Sequence, residues 1–183
     1  ECDNMINTTE NAGVKFMIAE NHRFLPTHKY IADAVRQGLL GDIFLIRAYE
    51  GVNEIPGLMD PDLWKGDPIK AGGGSLMDMG VHKFATIQWI LNDNVDSAYS
   101  WITKQCTTLE AKAEDNAMVY LKYKKGTIVD IVLSFTVISP PTNSLEIYGT
   151  KGTIIENHMW ENPVQINSTH DAMGRNKGIW FEP

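Results

Sequence analysis

Cysteine is nearly absent from this chain. Of 183 residues only Cys2 and Cys106 carry a thiol, and they lie far apart in sequence, without metal-type spacing. That scarcity argues against a disulfide framework and makes a reducing, cytoplasmic setting the expectation. Long apolar runs are missing too: no stretch approaches the roughly 20 residues that a membrane span needs, so no membrane partner is expected. Positive charge is not concentrated anywhere. The formal net charge is −7, and the only basic run, Lys122, Lys124 and Lys125, reads as a hairpin tip, which argues against a nucleic-acid partner. Internal repeats and low-complexity segments are also lacking. What remains is an ordinary globular composition, 43% hydrophobic and 21% charged, of a length that suits one domain with a fragment of a second.

Residues 1–12 carry Cys2, Met5, Ile6 and Ala12 at roughly helical spacing, and Gly13 follows as a helix-ending residue would. Val14 to Ala19 is then a short, largely apolar run, which predicts a strand buried on both faces. The chain starts inside this first helix at Glu1 and looks like a cut from a longer protein. Pro26 suits the first turn of a second helix that runs to Gly38. Alternation from residue 42 predicts a strand, and residues 51–70, rich in proline, glycine and aspartate, read as a long loop. Further strands are expected near 95–106, 115–123, 127–138, 144–149 and 153–156. Lys124-Lys125-Gly126 and Gly149-Thr150-Lys151-Gly152 supply the tight turns. Beyond residue 157 the pattern fades and is read as irregular. The expected class is α+β: an antiparallel (mixed) β-sheet with two or three helices packed on one face.

The segment from Ala71 to His82 carries the chemistry. Gly72-Gly73-Gly74 opens an apolar helix in which Asp78 and His82 stand four residues apart, a spacing that puts both on one face. Burying such a pair is costly unless it is satisfied, which makes it a site. The glycines do not match G-x-G-x-x-G, since the sixth position is Met77, and no Gly-Lys-Ser/Thr follows as a P-loop requires. They read better as a hinge or a place where the backbone approaches a partner closely. For Asp78 and His82 three readings stand: a buried structural pair, a metal site, or acid–base catalysis with His82 as the titrating group. No other His, Cys or Glu supports them at helical spacing, so no metal is expected. Glu20-Asn21-His22-Arg23-Phe24 follows the expected buried strand, where open α/β sheets bind ligands; Asn21 and Arg23 are the candidates there. His22 reads as part of a solvated connector, and Trp64 as a lid, a ring-stacking residue or a loop anchor. His28 and His170 read as surface residues.

These pieces in this order resemble the glucose-fructose oxidoreductase/inositol dehydrogenase (Gfo/Idh/MocA) family. The matching segments are Ala12 to Met17 with Asn21-His22-Arg23-Phe24, Gly38 to Ile43, Trp64 with Ala71 to His82, Glu114 to Ala117, and Leu145 to Gly152. The resemblance implies an oxidoreductase that moves hydride between a nicotinamide and a hydroxyl-bearing carbon of a sugar, cyclitol or polyol. His82 would match the family's acid–base histidine and Asp78 the carboxylate that orients it and the substrate. It also implies NAD or NADP in the full-length protein and a homo-oligomer formed through the sheet face. Residues 1–21 would be the last helix and strand of a Rossmann domain, and 22–183 the substrate-binding and oligomerisation domain. The family's glycine-rich loop and its lysine in Glu-Lys-Pro would both fall before Glu1, so this chain alone is expected to hold no dinucleotide firmly and to be inactive. The alternative is a non-catalytic binding or dimerisation module on the same fold.

Overall fold

The computed structural model describes residues 1–107, 113–138 and 140–183. Its helices are α1 (Cys2–Ala12), α2 (Pro26–Arg36), α3 (Ile55–Met59), α4 (Pro68–Ala71), α5 (Ser75–Asp78) and α6 (Gly80–Leu91). Its strands are β1 (Ile43–Gly51), β2 (Val95–Thr103), β3 (Asn116–Tyr123), β4 (Ile128–Ser134), β5 (Thr142–Gly149), β6 (Gly152–Asn157) and β7 (Val164–Ser168). The strands form one sheet in the order β2-β3-β4-β1-β5-β6-β7. Only β1 and β4 run parallel; every other neighbouring pair is antiparallel, so the sheet is mixed.

Alternation along the strands decides which side is covered. Val129, Ile131 and Leu133 of β4 align with Ile46 and Ala48 of β1 and with Leu145 and Ile147 of β5, and all are buried. The stripe Ile31, Ala34 of α2 and Ile87, Ile90 of α6 packs over that face. The opposite face is open at the β2 end, where Tyr99 pairs with Tyr120 and Trp101 with Met118, all four exposed. Among the described residues, no helix is long and apolar enough to cross a membrane.

Four sequence expectations are corrected. Val14 to Ala19 forms no strand and is exposed, with Met17 at 76% and Ile18 at 68%. A strand buried on both faces needs neighbours on both edges, and this sheet offers it none. Residues 164–168, read as irregular, form β7, whose Val164, Ile166 and Ser168 point into the core. The loop at 51–70 contains α3, α4 and the 3₁₀ turn Trp64–Gly66. The apolar helix after the glycines is interrupted at Met79. There the His82 N–H donates to the Met79 carbonyl at 3.1 Å, a three-residue step that takes His82 off the row of Asp78.

Candidate functional site

The glycine run is where the site is anchored. Gly74 N–H and Leu76 N–H donate to the two oxygens of Glu114 at 2.8 and 3.0 Å, and Ser75 N–H donates to the Glu114 carbonyl at 3.2 Å. A Cβ on Gly74 would lie 1.9 Å from that carbonyl oxygen, so only glycine permits the approach. The close partner expected for these glycines is therefore a carboxylate of the chain itself, set against the first turn of α5.

Asp78 and His82 leave this anchored turn for different partners, and no hydrogen bond joins them. Asp78 Oδ2 lies 3.4 Å from Lys65 Nζ, which is also 3.4 Å from Glu54 Oε1 and 5.6 Å from the Phe135 ring centroid. Lys65 comes from the same 3₁₀ turn as Trp64, which is itself exposed beside it in sequence. His82 Nδ1 lies 2.7 Å from Glu20 Oε1, a carboxylate that is only 7% exposed. The His22 N–H donates to the same oxygen at 3.1 Å. Burial pushes the Glu20 pKa up, but bonds from His82 and from the backbone of His22 and Arg23 outweigh it, and the net shift is downward. A carboxylate accepts only, so His82 Nδ1 carries a proton, and in the neutral ring Nε2 is the nitrogen with the lone pair.

His22 also departs from the sequence reading. Rather than a solvated connector, it stacks on His82, with ring centroids 4.0 Å apart and planes 16° from parallel. Burial, followed by the charge of His82, pulls its pKa down to about 4, so it is neutral at physiological pH. Asn21 and Arg23 flank it in the turn that His22 opens; Asn21 is exposed, and the half-buried Arg23 has its Nε without a hydrogen bond.

His28 departs from it too: it is 1% exposed, not a surface residue. Its Nδ1 lies 2.8 Å from the His22 carbonyl, and its ring faces His22 at 5.9 Å and His158 at 6.4 Å. His170 is partly buried, and its Nδ1 accepts the Ala172 N–H. Four of the five histidines thus gather at one end of the sheet, where β1 ends, β5 begins and β6 ends. Below them Lys83, only 2% exposed, hydrogen-bonds Asn143 Oδ1 and lies 3.7 Å from Glu50 Oε2. Burial lowers the Lys83 pKa and raises that of Glu50.

Glu20, Lys65, Lys83, Glu50, Glu156 and His158 all escaped the sequence reading. No spacing links them; a charged residue such as Lys83 inside an apolar helix was the one local clue. Among the described residues, two groups present three donor atoms within 4.8 Å of one another: Glu20, His22 and His82, and His28, Glu156 and His158.

Known proteins share most of this chain. The model of the GFO/IDH/MocA C-terminal domain matches residues 28–155. A 1,5-anhydro-D-fructose reductase of Ensifer adhaerens is 28% identical over 94% of this chain and 51% of its own length. A myo-inositol 2-dehydrogenase of Thermotoga maritima is 26% identical over 95% of the chain and 50% of its own. The chain therefore spans about half the length of these curated relatives. Among solved structures, the WlbA dehydrogenase of Bordetella pertussis, in complex with NADH and UDP-GlcNAcA, shares the fold. Its TM-score is 0.72 at 21% identity, over 88% of this chain and 48% of that one.

Proposed function

We propose, on the premise that this chain belongs to the GFO/IDH/MocA family through its C-terminal domain, that it supplies the substrate side of an NAD(P)-dependent oxidoreductase acting on a hydroxyl-bearing carbon of a sugar, cyclitol or related polyol. The observation that carries the proposal is the Glu20–His82 pair, 2.7 Å apart. Glu20 fixes the tautomer that leaves Nε2 basic, and the His82 side chain is 30% exposed, open to a substrate. Relatives named as a reductase of an anhydro sugar and a dehydrogenase of inositol support the substrate class.

This chain's glycine run does not suit a dinucleotide, because Glu114 already occupies the position a phosphate would take. NAD or NADP would be held by the intact protein and would exchange hydride with the substrate carbon. The part played by this chain is the proton. In the oxidative direction the hydroxyl proton passes to His82 Nε2, and the imidazolium that forms is stabilised by the Glu20 carboxylate, which stays ionised. In this reading Asp78, held by Lys65, and Trp64 read further hydroxyls, while Asn21 and Arg23 serve the cofactor. Residues 1–21 belong to the nucleotide-binding domain and 22–183 to the substrate-binding and oligomerisation domain in this reading. The chain alone is inactive, and the open face around Tyr99, Trp101, Met118 and Tyr120 carries the contacts of a homo-oligomer.

The test is His82→Ala in the intact oxidoreductase, with polyol oxidation followed by NAD(P)H absorbance. Turnover is expected to fall by roughly 10²–10⁴ with the fold retained. Turnover equal to that of the unaltered enzyme would remove His82, and this proposal with it.

A further inference from the structure

The second histidine group holds deeply buried polar atoms without a hydrogen bond, on an acid and an imidazole that belong to one cluster. Glu156 is 0% exposed and His28 1%, yet Glu156 Oε2 and His28 Nε2 make no hydrogen bond, and Glu156 Oε1 meets only His158. His158 Nε2 lies 2.6 Å from Glu156 Oε1, so a third donor atom closes the group from the solvent side. Leaving such groups unsatisfied is costly, and more so for a charged one.

The tautomer of His28 is set from outside. Its Nδ1 lies 2.8 Å from the His22 carbonyl, which can only accept, so Nδ1 carries the hydrogen and Nε2 presents a lone pair to the Glu156 carboxylate. Two acceptors aimed at one another need a cation between them. A metal-binding imidazole has this same support, with one ring N–H given to a backbone carbonyl and the other nitrogen on the ion.

We propose that His28 Nε2, the Glu156 carboxylate and His158 form a binding site for a divalent transition ion of the zinc type, clasping the start of α2 to the end of β6. Two imidazoles and a carboxylate are a zinc donor set, and water from the exposed side would complete a tetrahedron. The rings of His28 and His158 are 6.4 Å apart and tilted by 34°. That is roughly an ångström wider than two imidazoles on one tetrahedral ion, given Zn–N lengths of about 2.0–2.1 Å. His158 is exposed, so it is the ligand with room to close.

The charges around the group leave space for a cation. Lys83 lies 3.7 Å from Glu50 and also acts on Glu156, so two acids share one lysine. The other donor group, Glu20, His22 and His82, does not compete. An ion lies in the plane of each imidazole it binds, and the nearly parallel rings of His22 and His82 share no such point. The inference is independent of the proposed oxidoreductase activity.

The test is titration of the chelator-treated protein with Zn²⁺ by calorimetry, with Co²⁺ as a visible probe of tetrahedral coordination. One equivalent is expected to bind and to raise the melting temperature. His158→Ala and Glu156→Gln should each weaken binding at least tenfold. His158 is exposed, so its removal leaves the core intact, which circular dichroism verifies. His82→Ala should bind as the parent does. Absence of stoichiometric uptake overturns the proposal, as does unchanged affinity in His158→Ala and Glu156→Gln, or loss in His82→Ala alone, which would put the ion in the other group.

Discussion

Asp115 gives the sharpest quantitative test of how this site is held. It is fully buried, and its carboxylate collects donors from the turn after β2: the N–H groups of Gln105, Cys106 and Thr107 at 2.9–3.2 Å, the Thr107 hydroxyl at 3.0 Å and Asn116 Nδ2 at 2.8 Å. Burial pushes its pKa up, but the donors outweigh it and hold the group down from the usual 3.8 to about 2. Since each pKa unit is 1.36 kcal/mol, that difference corresponds to about 2 kcal/mol of stability. An amide in its place keeps one acceptor oxygen and turns two N–H groups toward other donors. Asp115→Asn should therefore lose about 2 kcal/mol at pH 7, or roughly 4–8 °C in melting temperature for a chain of this size. The sign with pH follows from a depressed carboxyl: the stability is present above pH 3.8 and is lost as pH falls toward 2. Urea unfolding of both proteins from pH 7 to pH 2.5 checks this. A gap below about 0.5 kcal/mol at pH 7, or one that persists undiminished at the lowest pH, refutes the assignment.

Three other outcomes follow from the same geometry. Gly74→Ala must move the backbone away from the Glu114 carbonyl and break the two bonds from Gly74 and Leu76 to its carboxylate, so a cost above about 2 kcal/mol is expected in urea unfolding. Glu20→Gln removes the charge that fixes the His82 tautomer. In the intact oxidoreductase it should lower turnover by roughly 10²–10⁴ and change the pH profile, with partial rescue by Glu20→Asp; a profile identical to the parent's would show that Glu20 plays no positioning role. Lys83→Met leaves Glu50 and Glu156 buried without their cation and should cost about 3–5 kcal/mol at pH 7. Burial holds the Glu50 carboxyl above its usual range, so in this variant stability should rise as the pH is lowered and Glu50 takes a proton; stability falling with acid over that range would contradict it.

Local signals were enough for much of the fold. Gly13 ends α1 in a left-handed conformation, φ 63°, as its place after an apolar-spaced helix predicts. Pro26 opens α2, and Lys124-Lys125-Gly126 joins β3 to β4. The strand β7 escaped because Val164, Ile166 and Ser168 are a short alternation among asparagines and a proline; pairing with β6, not intrinsic preference, makes it a strand. The run at 14–19 misled in the opposite sense. Its composition suits a buried parallel strand, but the decision rests on neighbours that composition does not encode.

The site was legible in type and not in partnership. Asp78 and His82 stood out because polar groups in an apolar helix demand an explanation, yet which carboxylate serves His82 depends on a break at Met79 that the apolar pattern conceals. Glu20, His28, Lys83 and Glu156 come from four separate elements or turns, and all but Lys83, a charge inside an apolar helix, look like ordinary surface in their own segments. Only the sheet end brings them together: the register pairs Glu50 with Asn143 and Leu145 with Glu156, which sets both acids on the face that α2 and α6 cover. Apolar side chains there would pack as well or better, because buried ionic groups are often less stable than hydrophobic replacements of similar volume. Packing therefore does not explain why this end of an otherwise apolar core holds three carboxylates, a lysine and four histidines. The two proposals account for it: the outer pair, Glu20 and His82, would move a proton, and the inner group would hold a cation.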